Sequence, residues 1–156
     1  MKSLLILVGK TTNKHFAAGI KDYTERIGHY MPFNITVIPA LKNTKSLSED
    51  QQKQAEGELI LRLIQPSDTV VLLDEHGAER TSMEMATWLT RKQQTARRLV
   101  FIIGGPYGFS ADVYSRADEK ISLSRMTFSH QMVRLIFTEQ LYRACTIIRG
   151  ESYHHE

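Results

Sequence analysis

The chain has 156 residues, 42% hydrophobic and 24% charged, with 20 basic against 17 acidic side chains and a net charge of +3. That is the size of one domain with a sizeable core and an ordinary composition for a soluble globular protein; the charge neither demands nor opposes a nucleic-acid partner, and is too small to bind free RNA tightly by itself. One cysteine, Cys145, excludes an intramolecular disulfide and fits a reducing compartment.

In MKSLLILVGK, the apolar run Leu4 to Val8 is too short for the core of a secretory signal, and no small-residue cleavage pattern follows. It reads as a first strand, Ser3–Val8. No other stretch approaches the length of a membrane span, so a cytoplasmic protein with no membrane association is expected. Phe16, Ile20, Tyr23, Ile27 and Tyr30 then fall at three- and four-residue steps, which predicts an amphipathic helix ending near Gly28–Pro32. Asn34–Pro39 reads as a second strand. The polar, aperiodic Leu41–Asp50 is expected to be the least ordered region.

Ser48 with Gln51 resembles a capping box, opening a polar helix that reaches Ile64 and stops at Pro66. A third strand, Thr69–Asp74, is followed by Thr81 with Glu84, the same device before a helix carrying Met85, Trp88 and Leu89. Leu99–Ile103 is the fourth strand, and Ser110 caps a short helix through Ala117. Lys120–Ser124 is the fifth strand, and a last helix runs from near Ser129 to Gly150. The alternation predicts a single α/β domain over residues 1–156, with a mostly parallel sheet and helices on both faces. No internal repeat or linker interrupts it.

Ligands of α/β proteins gather where strands end. VGKTT, Val8 to Thr12, has the end of a phosphate loop, but the glycine needed five residues earlier is Leu4, inside the strand. Gly9 is therefore read as a turn residue and Lys10 as a solvated charge. IIGGPYGF, Ile102 to Phe109, lacks the dinucleotide spacing, yet its adjacent glycines after a buried strand point to a turn where backbone is approached closely. Asp74, Glu75 and His76 follow the third strand and read as facing water. No metal set emerges: His154 and His155 are adjacent, and no Cys or His pair has ligand spacing. His15 and His29 read as solvated, and Cys145 as a buried, inert thiol.

The segment SLSRMTFSHQMVRLIFTEQLYRA, Ser122 to Ala144, carries most of the remaining chemistry. Val133, Ile136, Phe137, Leu141, Ala144 and Ile148 share one helical face, and Met132 and Leu135 widen it. Such a helix is buried on two sides, which predicts a partner subunit against it. His130, Arg134, Thr138 and Tyr142 form a polar stripe at one margin, and Glu139 with Arg143 is an i,i+4 pair. The hydroxyls and the arginine of SLSRMTFS are left over by that account.

IIGGPYGF, SLSRMTFSHQMVRLIFTEQLYRA and the terminal RGESYHHE together resemble the ribosomal RNA large-subunit methyltransferase H family of the SPOUT superfamily. The likeness covers essentially the whole chain and is densest after Val70. It implies an α/β fold tied in a C-terminal trefoil knot, about residues 70–156. It also implies a homodimeric, S-adenosylmethionine-dependent enzyme that methylates N3 of a pseudouridine in a 23S rRNA hairpin at the ribosomal subunit interface. By that resemblance the cofactor falls on Leu73, on Gly104, and on Leu123, Ser124, Arg125, Met126, Thr127 and Phe128. Catalysis would draw on His130, Arg143, Tyr153 and His154, with Tyr153 or His154 handling the proton and Arg134 meeting the substrate. No metal is implied. A basic residue is expected after the Tyr-His pair, where this chain has His155. That departure bears on a phosphate contact there and not on the enzyme class.

Two other readings stand beside this one. The first is a non-catalytic dimeric RNA- or ribosome-binding module of the same fold. The second is a nucleotide hydrolase using VGKTT.

Overall fold

The computed structural model describes residues 1–155. Five strands, β1 (Lys2–Val8), β2 (Phe33–Ile38), β3 (Thr69–Glu79), β4 (Arg98–Ile103) and β5 (Glu119–Ser122), form one sheet in the order β2-β1-β4-β3-β5, with every pairing parallel. Helices α1 (Lys14–Ile27), α3 (Ser82–Thr95) and α5 (Met132–Ile148) supply one apolar layer, with Ile27, Trp88, Leu89, Phe137 and Leu141 packed on Leu5, Leu7, Val71 and Phe101. On the other face α2 (Glu49–Arg62) and α4 (Ala111–Arg116) lay Ile60 and Val113 against Leu4, Ile6, Val70 and Ile102. Successive strand residues point to opposite faces, so a strand covered on both sides reads as a continuous apolar run. LLILV in β1 and LVFII in β4 are such runs.

Local chemistry places the helix starts. Ser48 and Thr81 form the two expected capping boxes with Gln51 and Glu84. Asn13 caps α1 by accepting from the amides of His15 and Phe16 at 3.0 and 3.1 Å. Ser129 begins the last helix: its Oγ accepts from Met132 N and its carbonyl from Val133 N, both at 3.1 Å, so the regular turns start at Met132. The stretch Leu41–Asp50 holds a 3-10 turn over Thr44–Ser46 and the first residues of α2.

Three features differ from expectation. The third strand does not end at Asp74: after an irregularity between Leu73 and Ala78 it returns to β5, pairing Ala78 with Ile121 and Glu79 with Ser122. The excursion is the polar DEHG segment, which no alternation rule marks as strand. Second, α5 lies between α1 and α3, so much of the burial that pointed to a partner subunit is supplied within the chain. Third, the polar stripe is not marginal. Arg134, Thr138 and Tyr142 are buried, whereas Ile148 of the supposed core face is exposed. Thr138 tolerates this because its hydroxyl donates to the carbonyls of Arg134 and Leu135 at 3.1 and 3.0 Å. Cys145 is buried and burial pushes its thiol up to about 12, as an inert core cysteine requires. His15 and His29 are exposed. No helix among the described residues is long and apolar enough to cross a membrane.

Candidate active site

The carboxyl ends of β3, β4 and β5 open into a cleft of about 710 Å³, closed on one side by His130 and Val133 at the start of α5. Three loops build it, one after each strand. All of the residues expected at the cofactor line it except Arg125, that is Leu73, Gly104, Leu123, Ser124, Met126, Thr127 and Phe128. Arg125 turns its guanidinium away and donates to Glu79 at 3.0 Å, almost fully in solvent.

In the middle loop Gly105, Pro106, Tyr107 and Gly108 make a tight turn, with Gly108 N donating to Gly105 O at 3.1 Å. Its two leading glycines are demanded by space. A Cβ on Gly104 would lie 2.9 Å from the Phe109 ring, and one on Gly105 would lie 2.6 Å from Glu56 Oε1. Leu73, Ile103, Ile121 and Leu123 furnish an apolar floor, while Met126 and Phe128 stand exposed at the rim. Large apolar side chains held open beside a cleft suit an aromatic ring laid between them.

The polar lining is acidic. Glu49, Asp74 and Glu75 contribute carboxylates, and among the described lining residues there is no Lys or Arg. A phosphate-bearing ligand would find no counter-charge, whereas a nucleoside carrying positive charge would. Asp74 does not face water as expected: its side chain is 7% exposed and accepts from the Tyr114 hydroxyl and, at 2.8 Å, from His76 N. Burial opposes its ionisation, but these hydrogen bonds and the His76 and Lys120 charges hold the carboxyl below the usual range. Glu75 and His76 are exposed, as read. Nothing in the strand's own sequence signals the Tyr114 contact, because it arrives from α4.

Glu56 also escapes a reading of the sequence. It lies in a polar helix, yet is buried beneath the glycine turn, with one hydrogen bond from Gln52 Nε2 at 3.2 Å. The available signal is Gly57 in mid-helix, a mark of close approach. Burial pushes the Glu56 carboxyl above its usual range, against the opposing Gln52 bond. A raised native pKa means that stability is greatest at acid pH and falls as pH rises through that value. Glu56→Gln is therefore expected to raise Tm at pH 8 by about 2–4 °C, the shift for about 1 kcal/mol in a domain of this size. The gain should shrink towards pH 4.5; differential scanning fluorimetry showing equal gains at both would contradict it.

A second cluster lies at the other end of α5. Arg143 donates to Glu139 and meets His154 Nδ1 at 3.1 Å, with its guanidinium 4.8 Å over the Tyr153 ring. The Tyr153 hydroxyl donates to Glu139 at 3.0 Å and lies 3.4 Å from that of Tyr23. Burial first, then those hydrogen bonds, push the Tyr153 phenol well above its usual value. The tail is docked: Tyr142 stacks edge-on with Tyr153 at 4.7 Å, and Glu151 accepts from Tyr30 at 2.7 Å. Arg143 lies about 16 Å of helical rise beyond Met132. The structure thus brings Arg143, Tyr153 and His154 together but leaves them remote from the cleft of their own chain. Arg134 faces neither place. It is wholly buried, donating to the carbonyls of Val8 and Gly9 and to Thr11, with His130 alongside. Among the described residues no group of three or more His, Cys, Asp or Glu is placed to hold a metal.

The family described as Predicted SPOUT methyltransferase matches residues 1–154. The chain belongs to that family, in its ribosomal RNA large subunit methyltransferase H branch. Proteins of that name from Phocaeicola vulgatus and Bacteroides fragilis are each 60% identical to it, and the one from Flavobacterium psychrophilum is 53% identical; each match covers 100% of both chains.

Proposed function

We propose that the chain is an S-adenosylmethionine-dependent methyltransferase acting on N3 of a pseudouridine in a 23S rRNA hairpin at the ribosomal subunit interface. It works in the cytoplasm as a homodimer on the assembled ribosome, with its C-terminal part, about residues 70–156, tied in a trefoil knot. The observation that carries the cofactor is the cleft: three loops, an apolar floor, three carboxylates and, among the described residues, no Lys or Arg. The curated relatives' names support the RNA substrate.

When bound, S-adenosylmethionine supplies an electrophilic methyl group on a cationic sulfur. Leu73, Leu123 and Phe128 would hold its adenine, Gly104 would admit it to the backbone, and the carboxylates would balance its charge. Ser124, Met126 and Thr127 would close the third loop over it. The chain's own work is to align N3 with the methyl carbon and to take the N3 proton, whose pKa lies above neutrality. In that transfer N3 would take the methyl carbon from the cofactor, which would keep the carbon–sulfur electron pair. Arg143 would steady the imide anion as it develops. The high phenol pKa keeps Tyr153 as a donor, which leaves His154 to accept the proton once the substrate draws Arg143 away; Arg143 retains Glu139. Because this cluster is three turns from its own cleft, a partner subunit supplies it, and the dimer is required by chemistry.

Mass mapping of large-subunit rRNA from cells with and without the gene is the test. One methyl group is expected on one pseudouridine, missing in the deletion and restored by the gene. Purified protein should methylate ribosomes far faster than the free hairpin, because its net charge of +3 gives little phosphate attraction. A folded dimer that binds no S-adenosylmethionine in calorimetry would favour the non-catalytic ribosome-binding module instead.

A further inference from the structure

Arg134 is among the largest fully buried side chains in the fold, and its hydrogen-bond partners among the described residues include no carboxylate. An uncompensated guanidinium in the interior is costly and calls for a reason. Its NH1 donates to Gly9 O at 2.8 Å and Thr11 Oγ1 at 2.9 Å; NH2 donates to Val8 O at 2.8 Å. These bonds pin the β1–α1 loop, whose Gly9 takes the left-handed φ of 82°. Gln131 ties the same loop from the start of α5, accepting from Thr12 N at 2.7 Å.

The remaining contact is the informative one. Arg134 NH2 lies 3.0 Å from His130 Nε2. A guanidinium has five N–H donors and no acceptor, so this contact is a hydrogen bond only if Nε2 offers a lone pair. A proton on Nε2, in the neutral ring or in imidazolium, would set two donors against each other in a part-buried place. The ring's proton must then sit on Nδ1. We infer that Arg134 locks His130 as the neutral Nδ1–H tautomer, so that in the cleft His130 is a hydrogen-bond donor and not the proton acceptor. Burial first and then the Arg134 charge depress the His130 pKa, and the nearby Val8 carbonyl, which also accepts from Arg134, opposes them only in part.

Arg134 is on this account a positioning residue and His130 a catalytic one. Resting on the methyltransferase reading, the donor's target is a carbonyl oxygen of the base beside N3, which grows more negative as the N3 proton leaves. Arg143 differs in kind. It is part-exposed and keeps Glu139 as a carboxylate partner when it releases His154.

The test uses the full-length protein labelled with 15N-histidine. Long-range proton–nitrogen spectra at neutral pH, with His130 assigned by its loss in His130→Asn, distinguish a bare ring nitrogen from a protonated one. A bare Nε2 and a protonated Nδ1 are expected. Arg134→Lys, which can still donate to Nε2, should keep that signature, and Arg134→Met, where it folds, should relax it to a mixture. A protonated Nε2 in the unmodified protein overturns the inference.

Methyl transfer to ribosomes gives an independent arm. The amide nitrogen of Asn sits near the place of Nδ1, and that of Gln near Nε2. His130→Asn should stay within about tenfold of the parent, and His130→Gln should lose about 10²–10³-fold, the usual effect of deleting one such donor. Equal collapse of both, the mark of a lost proton acceptor, overturns the inference. An unmodified protein with no activity would instead sink the methyltransferase reading, and the spectra would still decide the tautomer.

Discussion

Subunits carrying Gly104→Leu and subunits carrying Arg143→Ala are each expected to be inactive alone and to regain methyl transfer when mixed. The first has a blocked cleft and an intact tail cluster; the second has the reverse. If the tail of one subunit completes the cleft of its partner, a mixed dimer contains one whole site. Random re-pairing makes half the dimers mixed, so activity should return to about a quarter of the parent level. Were each site completed within one chain, no mixed dimer would contain a whole site and activity would stay at zero. Arg143→Ala alone should cost about 10²–10³-fold, as for removal of a donor to a developing anion. The physical ground is the length of α5, which holds Arg143 about three turns from the wall that His130 forms.

Gly104→Ala is expected to weaken S-adenosylmethionine binding about tenfold, and Gly104→Leu by at least about 100-fold, the cost of displacing a site by about an ångström. The added Cβ meets the Phe109 ring at 2.9 Å, and that ring is itself buried against β4 and α4 neighbours and has little room to withdraw. Combining Gly104→Ala with Phe109→Leu should therefore recover part of the loss, because the two residues share one space. Calorimetric titration of the four proteins measures this coupling. Strictly additive losses would show that the glycine serves something other than close packing on Phe109.

Much of the framework could be read in order along the chain. Both capping boxes, all five strands and the covering of both sheet faces follow from short-range rules, because caps are set within four residues and strand burial shows as continuous apolar runs. The loops at the cleft are marked in the sequence by the glycine turn and by the family likeness, not by periodicity. Where local rules failed, the missing partner was always distant in sequence. Asp74 looked solvated because Tyr114 reaches it from forty residues away. Glu56 looked like one more charge on a polar helix until the glycine turn settled on it. Arg134 looked like the edge of a stripe because the Val8 and Gly9 carbonyls that receive it belong to the first strand's end.

The amino-acid sequence by itself determined the fold class, the capped helix starts, the strand ends at which the cleft opens, and the absence of any phosphate-loop spacing. Only the tertiary structure decided that the lining is acidic and carries no Lys or Arg among the described residues, that the tail cluster is built far from its own cleft, and that Arg134 spends its donors inside. The reason is physical: periodicity reports which side of an element is buried, while charge balance and hydrogen-bond direction depend on which groups from other elements arrive there. For His130 that difference is decisive, since a lone histidine on a helix is acid, base or bystander until the guanidinium beside it fixes which nitrogen holds the proton.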